Sequence, residues 1–172
     1  MKTQRTKNME RLMDALNLCR NFHDGQTDKC GQPYWIHPFT VAMRGFTGHN
    51  SENEATYAIV GLLHDIPEDT GLSVEMLSEL IYLTPEEMEA LELLTHQDGV
   101  TYKEYIDSII ESGNELAISV KMDDLLHNMR LTRFTEAGIT VTESDEKRTE
   151  KYREYFYKLR EKLIKIDEVK YA

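Results

Sequence analysis

Cysteine is scarce in this chain of 172 residues, which contains only Cys19 and Cys30. Two cysteines do not make the repeated spacing of a disulfide framework, so we expect a protein of a reducing compartment. Long apolar runs are also missing, since the longest stretches, such as AIVGLL at positions 58–63, are too short to cross a bilayer. The first ten residues, MKTQRTKNME, show no apolar run after the basic ones. These absences predict a soluble, cytoplasmic chain with no secretory signal and no membrane partner.

Positive charge is in deficit as well. The 20 lysines and arginines are outnumbered by 31 aspartates and glutamates, which gives a formal net charge of −11. A polyanion would be repelled at long range, so the net charge argues against broad nucleic-acid binding. A phosphorylated substrate would need a local positive site, made by a metal ion or by a few basic side chains. Whether the chain forms a homo-oligomer is left open by the sequence.

Apolar residues recur throughout at the spacing of amphipathic helices, and no repeat, low-complexity tract or linker interrupts them. We therefore expect one all-α domain over residues 1–172, made by a bundle of helices. The expected helices are 8–22, one with Pro38 in its first turn, one that begins with a cap at 51–54 and runs to 65, 73–79, 85–94 capped by Thr84, 101–111, 114–131 and 142–166. Pro67 should end or kink the third helix, because proline lacks the amide donor.

His64 and Asp65 form an ionisable pair at the end of a strongly apolar segment. Charged groups near a core cost several kcal/mol unless they are paired or bound to a metal. Imidazole and carboxylate together are typical ligands of divalent transition metals. A second acidic pair, Glu68 and Asp69, follows about one turn later. The alternative for the whole segment is a solvated acidic helix end.

Asp124 is predicted to face the core, because it lies on an apolar face of its helix, with Asn128 one turn later. Asp123 points elsewhere and should be solvated. His37 precedes Pro38, which favours an extended conformation for the histidine. Taken singly, Asp124 and Asn128 could tie two helices together, and His37 could be a residue of a helix entry. His127 lies three residues after Asp124, and this position favours a packing or supporting role for the histidine over metal ligation.

Three segments in this order give a resemblance to a known family: HDGQTDKCGQPYWIHPFTVA, GLLHDIPEDT and VKMDDLLHNMR. They resemble the HD superfamily of metal-dependent phosphohydrolases, and most closely the hydrolase domain of bifunctional alarmone enzymes and their small stand-alone relatives. The resemblance covers residues 17–133. It implies an all-α HD-domain bundle that removes the 3′-pyrophosphate from (p)ppGpp.

The resemblance also implies roles for individual residues. The four metal ligands, with Mn²⁺ as the usual ion, would be His37, His64, Asp65 and Asp124. Glu68 and Asp69 match an acidic pair that handles the attacking water and proton transfer. Lys29 and Asn128 match residues that contact the substrate. A bound cation lowers the pKa of its water and neutralises the attacked phosphate, which suits an acidic protein with an anionic substrate.

Some positions depart from the family pattern. Asp28 stands where an arginine usually packs on the purine, and Cys30, Leu125 and Leu131 replace a serine, an arginine and a threonine. The metal site thus matches more completely than the base-recognition site. Asp28 favours an alternative substrate, namely an adenine alarmone, NADPH or a nucleoside monophosphate. A non-catalytic nucleotide-binding module is a further alternative, against which the intact ligand set and acidic pair both count. If Asp28 lies in the pocket, Asp28→Arg is expected to lower KM for ppGpp.

Overall fold

The computed structural model describes residues 3–45 and 54–171, and these fold into ten α-helices. In chain order they are α1 (Gln4–Phe22), α2 (Ile36–Arg44), α3 (Glu54–Leu63), α4 (Ile66–Thr70), α5 (Val74–Leu80), α6 (Pro85–Leu94), α7 (Tyr102–Ser112), α8 (Glu115–Asn128), α9 (Thr132–Glu136) and α10 (Glu143–Lys170). The described residues form no strand, and their one isolated bridge joins Thr27 to Pro33 in the loop before α2. The all-α prediction is therefore confirmed. The assignment of residues 1–172 to a single domain stays a prediction.

Helix caps explain why most of the predicted bounds hold. Thr84, Thr101 and Thr142 each precede a helix and form a reciprocal capping box with an acidic residue three positions later. Each box satisfies amide donors that the first turn of a helix would otherwise leave unpaired. Asn114 caps α8 in the simpler way, since its side chain accepts the Ala117 amide at 2.9 Å. Both partners of each box are local in sequence, so these starts were predictable.

Three predicted bounds are wrong by about one turn, and one of them is the end of the last helix, which runs to Lys170 instead of residue 166. The first helix begins at Gln4 instead of residue 8, because the Thr3 side chain accepts the Thr6 amide and starts a turn that has no apolar stripe. Helix α8 ends at Asn128 instead of residue 131, and the chain then turns into α9. This turn brings the side chains of α9 beside the loop that precedes α2.

The entry to α2 also differs from expectation. His37 is not extended but lies in the first turn of α2, where its amide donates to the Tyr34 carbonyl at 2.8 Å. Pro38 occupies the same turn, in agreement with the sequence, because a proline there loses no helical hydrogen bond. Residues 51–53 of the predicted cap at 51–54 lie outside the described residues. Pro67 lies in the first turn of α4, and α3 ends before it at Leu63.

Helix α3 lies at the centre of the bundle. It contacts α1, α2, α6 and α8, and its side chains from Tyr57 to Leu63 are all buried. Gly61 lets α3 approach α2 closely, since a Cβ atom at this position would lie 2.8 Å from the Cα of Ala42. The close approach places the start of α2 beside the end of α3. No helix of the described residues is long and apolar enough to span a membrane.

Candidate metal centre

His37 projects from the first turn of α2 and is buried. Its Nε2 atom lies 3.1 Å from Oδ1 of Asp124 and 3.4 Å from Oδ2 of Asp65. Burial lowers the pKa of His37, but the hydrogen bond to Asp124 and the charge of Asp65 more than offset this, so its pKa lies above the ordinary value. The raised pKa shows that the space between His37 and the two carboxylates favours positive charge.

His64 follows the last residue of α3 and is almost fully buried. Its Nδ1 atom lies 2.8 Å from the Gly61 carbonyl oxygen, to which it donates. The Nε2 atom is buried and forms no hydrogen bond with any described residue, although Oδ1 of Asp65 lies 3.1 Å away. A buried acceptor with no partner is rare in native proteins. A metal ion would satisfy it, and the carbonyl at Nδ1 already selects the tautomer that a ligand needs.

Ligand atoms of His37, His64 and Asp65 all lie within 4.8 Å of one another. Tyr34, from the loop before α2, donates its hydroxyl to Oδ2 of Asp65 at 2.9 Å and so orients the carboxylate. Two imidazoles and a carboxylate at this spacing fit a divalent transition metal. The predicted ligands from the first two segments are therefore brought together.

Asp124 adjoins this cluster through His37 and carries a second set of contacts on its other side. Its Oδ1 atom accepts Asn128 Nδ2 at 2.6 Å, whereas Oδ2 lies 2.9 Å from Nζ of Lys121. Burial raises the pKa of Asp124, but the Lys121 ammonium, the hydrogen bond to His37 and the charges of the two histidines together hold the pKa well below the ordinary value. Asp124 is thus an ionised carboxylate whose Oδ1 faces the imidazole of His37.

The sequence analysis did not identify Lys121. This lysine is buried in α8, with Nζ also 4.9 Å from the ring centroid of Tyr105 and 5.8 Å from that of Tyr102. It lies one turn before Asp124 among apolar residues, which was the available signal. Asp123 was predicted to be solvated, and this is wrong: it accepts the Tyr57 hydroxyl and lies 3.7 Å from Arg44 Nη1.

His127 contacts His37 directly. The two Nδ1 atoms lie 2.6 Å apart, so the supporting role expected for His127 has a definite partner. Burial, followed by the charges of His37 and Arg133, lowers the pKa of His127 to about 4. A neutral His127 accepts the Nδ1 proton of His37 and leaves Nε2 of His37 directed at the two carboxylates.

The acidic pair lies in the short helix α4. The side chain of Glu68 is exposed and that of Asp69 is partly buried, and Glu68 accepts a long hydrogen bond of 3.4 Å from the His96 amide. Asp69 lies 3.8 Å from Nδ1 of His23. Partial burial, together with the charge of Asp65, raises the pKa of Asp69 above its ordinary value. A carboxyl group with a raised pKa is better suited to exchange protons near neutral pH.

The two expected substrate contacts have different surroundings. Lys29 is 61% exposed, and its Nζ lies 3.6 Å from Oδ1 of Asp145 at the start of α10. Arg148 reaches the same Oδ1 atom at 3.0 Å, so two cations meet at the surface there. Asn128 is engaged with Asp124.

Asp28 faces inward from the loop that precedes α2. Its Oδ1 atom accepts the amides of Cys30 and Gln32 at 2.8 and 2.9 Å, which fixes the turn. Its Oδ2 atom lies 3.4 Å from Nη1 of Arg133 on α9. The charge reversal noted in the sequence is therefore balanced by an arginine that lies 105 positions later in the chain.

Several known proteins are similar to this chain in sequence, although no family model matches it. It is 30% identical over 135 residues to a probable GTP pyrophosphokinase of Mycobacterium leprae, over 74% of this chain and 16% of that protein. It is 33% identical over 126 residues to a GTP pyrophosphokinase of Myxococcus xanthus, over 63% of this chain and 15% of that protein. The bifunctional (p)ppGpp synthase/hydrolase SpoT of Escherichia coli is 27% identical over 133 residues, which cover 71% of this chain and 18% of SpoT. The chain thus spans less than a fifth of the length of these relatives.

A solved structure supports the fold. A metazoan ortholog of SpoT, described as hydrolysing ppGpp, superimposes with a TM-score of 0.65 at 23% identity, over 89% of this chain and 85% of that one. The sequence relatives and this fold agree with the three segments from which the resemblance was first drawn. The chain is therefore an HD-type helical domain related to the hydrolase domains of alarmone enzymes.

Proposed function

We propose that this protein is a metal-dependent phosphohydrolase that removes the 3′-pyrophosphate of (p)ppGpp or a related alarmone. The observation that carries the proposal is the buried Nε2 atom of His64, which forms no hydrogen bond with any described residue and lies beside ligand atoms of His37 and Asp65. Relatives whose names describe (p)ppGpp hydrolysis support the choice of substrate.

The ligands in this proposal are His37, His64, Asp65 and Asp124, which would hold one ion for each chain. Mn²⁺ is the proposed ion, because mixed imidazole and carboxylate ligands suit it. When bound, the ion supplies a water of lowered pKa and neutralises charge on the attacked phosphate. The residues around it hold the ligands in place: Tyr34 orients Asp65, and Lys121 keeps Asp124 ionised.

The acidic pair of α4 is proposed to handle the protons of the reaction. Asp69, with its raised pKa, is suited to hold a proton for the leaving group. Glu68 is proposed to take the proton of the attacking water, and its exposed position keeps it accessible. Lys29 and Arg148 both lie close to Asp145. They bring two cations to the N-terminal end of α10, where an anionic substrate would be held.

Another nucleotide is the second candidate substrate, because the pocket beside His37 carries an Asp28–Arg133 ion pair. A carboxylate and a guanidinium together change which base the pocket can accept. An adenine alarmone, NADPH and nucleoside monophosphates are therefore included in the test. A cytoplasmic location and the lack of nucleic-acid binding stay predictions that rest on composition and on the net charge of −11.

The test is a screen of the purified protein with Mn²⁺ against 3′-phosphorylated and 5′-phosphorylated nucleotides, with release of pyrophosphate or phosphate as the readout. We expect ppGpp to be turned over, with about one equivalent of metal bound. Glu68→Gln should keep the metal and lose about two or more orders of magnitude in turnover. Glu89→Gln, an exposed glutamate of α6, is the matched control. Lack of any turnover by metal-loaded protein would overturn the proposal, and near-normal rates in Glu68→Gln would remove Glu68 from it.

A further inference from the structure

A cavity of about 280 Å³ opens beside the metal centre, between the loop that precedes α2 and helix α9. His37 and His127 are among its lining residues, so the cavity reaches the histidine that faces the two carboxylates. Two arginines, Arg130 and Arg133, line its α9 side, and Asp28 lines the loop side. A ligand whose reacting phosphate lies at the metal centre would extend another part of itself into this cavity.

The two arginines differ in their surroundings. Arg130 is 56% exposed and pairs loosely with Glu136 at 3.7 Å, so water screens its charge. The side chain of Arg133 is only 18% exposed, and its charge is close enough to His127 and His37 to act against protonation of both rings. Arg133 is therefore the cation that a ligand in the cavity would meet without much intervening water.

One donor of Arg133 has no acceptor. Its Nη1 atom lies 3.4 Å from Asp28, but its Nε atom is buried and forms no hydrogen bond with any described residue. A buried donor without an acceptor is costly and rare in native proteins, so such a group usually has a partner that the protein alone does not supply. Because Asp28 is fixed by two loop amides, it holds the guanidinium in place without satisfying Nε.

We propose that Arg133 is a specificity-determining residue, which donates hydrogen bonds to the part of the nucleotide that does not react at the metal. The proposal rests on the function proposed above. Asp28 is its positioning residue, because it holds the guanidinium from the loop side. The hydrogen-bond acceptors that suit Arg133 are planar or anionic oxygen and nitrogen atoms. The nucleotide offers such atoms at two places, the edge of the base and the 5′-phosphates.

Equilibrium binding of ppGpp without added metal tests this proposal, because it does not require turnover. We expect Arg133→Gln to raise Kd about tenfold or more, which is the scale of one charged hydrogen bond. Arg133→Lys keeps the charge but lacks the planar fork, so it should recover only part of the affinity. The matched control is Arg153→Gln on α10, since Arg153 also pairs with a carboxylate, Glu150, but at the open surface. Helix content and thermal unfolding of each variant show that the fold is kept.

Two further probes identify the source of the acceptors. If Arg133 contacts the base, the loss in Arg133→Gln should differ between ppGpp and its adenine counterpart. If it contacts the 5′-phosphates, the loss should vanish with guanosine 3′-diphosphate. If wild type, Arg133→Gln and Arg153→Gln bind ppGpp with equal Kd values, this inference is overturned. The proposed function is unaffected by that result, because the wild-type protein still binds the nucleotide. Failure of the wild-type protein to bind any of these nucleotides would overturn the proposed function and this inference with it.

Discussion

The Nδ1 atoms of His37 and His127 lie 2.6 Å apart, so one ring must donate a proton and the other must accept it. The pKa of His127 is lowered to about 4, first by burial and then by the charges of His37 and Arg133, whereas the pKa of His37 is raised, so His37 is the better donor and His127 the better acceptor. His37 therefore carries its proton on Nδ1, and its Nε2 faces Asp65 and Asp124. His64 reaches the same arrangement through the Gly61 carbonyl.

Removing the acceptor beside His37 should weaken metal binding. His127→Leu has no acceptor for the Nδ1 proton, and we expect the affinity for Mn²⁺ to fall about 10-fold to 100-fold, as is usual for partners of metal ligands. His127→Gln keeps an oxygen acceptor and should retain more of the affinity. Calorimetric metal titration measures both. Equal affinities in the two variants would show that the hydrogen bond does not matter.

Asp124→Ala should strip the metal and abolish turnover, since it removes a proposed ligand. The structure adds a cost in stability, because Lys121 would be left buried without its carboxylate partner. Loss of one partner of a buried ion pair typically costs about 3–5 kcal/mol. We expect urea unfolding of the metal-free variant to show a loss of this size.

The matched variant for that experiment is the double change Lys121→Met with Asp124→Ala. It removes both charges and should recover much of the free energy of unfolding without restoring the metal. If the double variant is as unstable as Asp124→Ala, the loss comes from packing around residue 124 and not from an unpaired ammonium.

The ion pair between Asp28 and Arg133 leads us to predict the opposite effect of Asp28→Arg on KM from the one expected from the sequence. A second guanidinium at this position would face Arg133, and the loop would lose the acceptor of its Cys30 and Gln32 amides. We therefore expect KM for ppGpp to rise. Asp28→Asn keeps an acceptor for the two amides and should change KM less. A lower KM in Asp28→Arg would mean that Arg133 turns away from the loop when substrate binds.

The capping box of α10 gives a pH dependence. Hydrogen bonds from the side chain and amide of Thr142 lower the pKa of Asp145 to about 2, below an unfolded value of about 3.9. This carboxylate therefore stabilises the fold above about pH 4, and the contribution is lost as the pH falls toward 2. The difference in unfolding free energy between wild type and Asp145→Asn should be largest at pH 6 and shrink by pH 3. Asp98→Asn, in an exposed loop, should show no such trend.

Much of the fold could be predicted because its signals are local. Thr84 and Thr142 form capping boxes with partners three residues away, and the bounds of α6 were predicted without error. The start of α1 was missed because its first turn is polar and depends on Thr3 alone. His37 was assigned to extended chain because the preference of residues before proline is statistical, and here the turn at Pro33 and Tyr34 leads directly into the helix.

In the candidate site, too, residues with a local sequence signal were predicted, whereas contacts between distant residues were not. His64 and Asp65 were recognisable because a charged pair followed an apolar run, and the structure places their ligand atoms beside those of His37. The Arg133 contact with Asp28 could not be predicted, because it joins positions 105 residues apart across a turn that the sequence assigned to a continuous helix. The partner of His127 was likewise invisible, since no spacing rule relates residues of α8 to the start of α2.

Gly61 has a consequence for substitution in the core. Because a Cβ atom there would lie 2.8 Å from the Cα of Ala42, α2 and α3 meet main chain to main chain at this point. His64 lies three residues after Gly61, and His37 lies five residues before Ala42, so a side chain added at position 61 would push apart the two helices that place the imidazoles. The spacing of the candidate ligands therefore depends on a residue whose only contribution is the absence of a side chain.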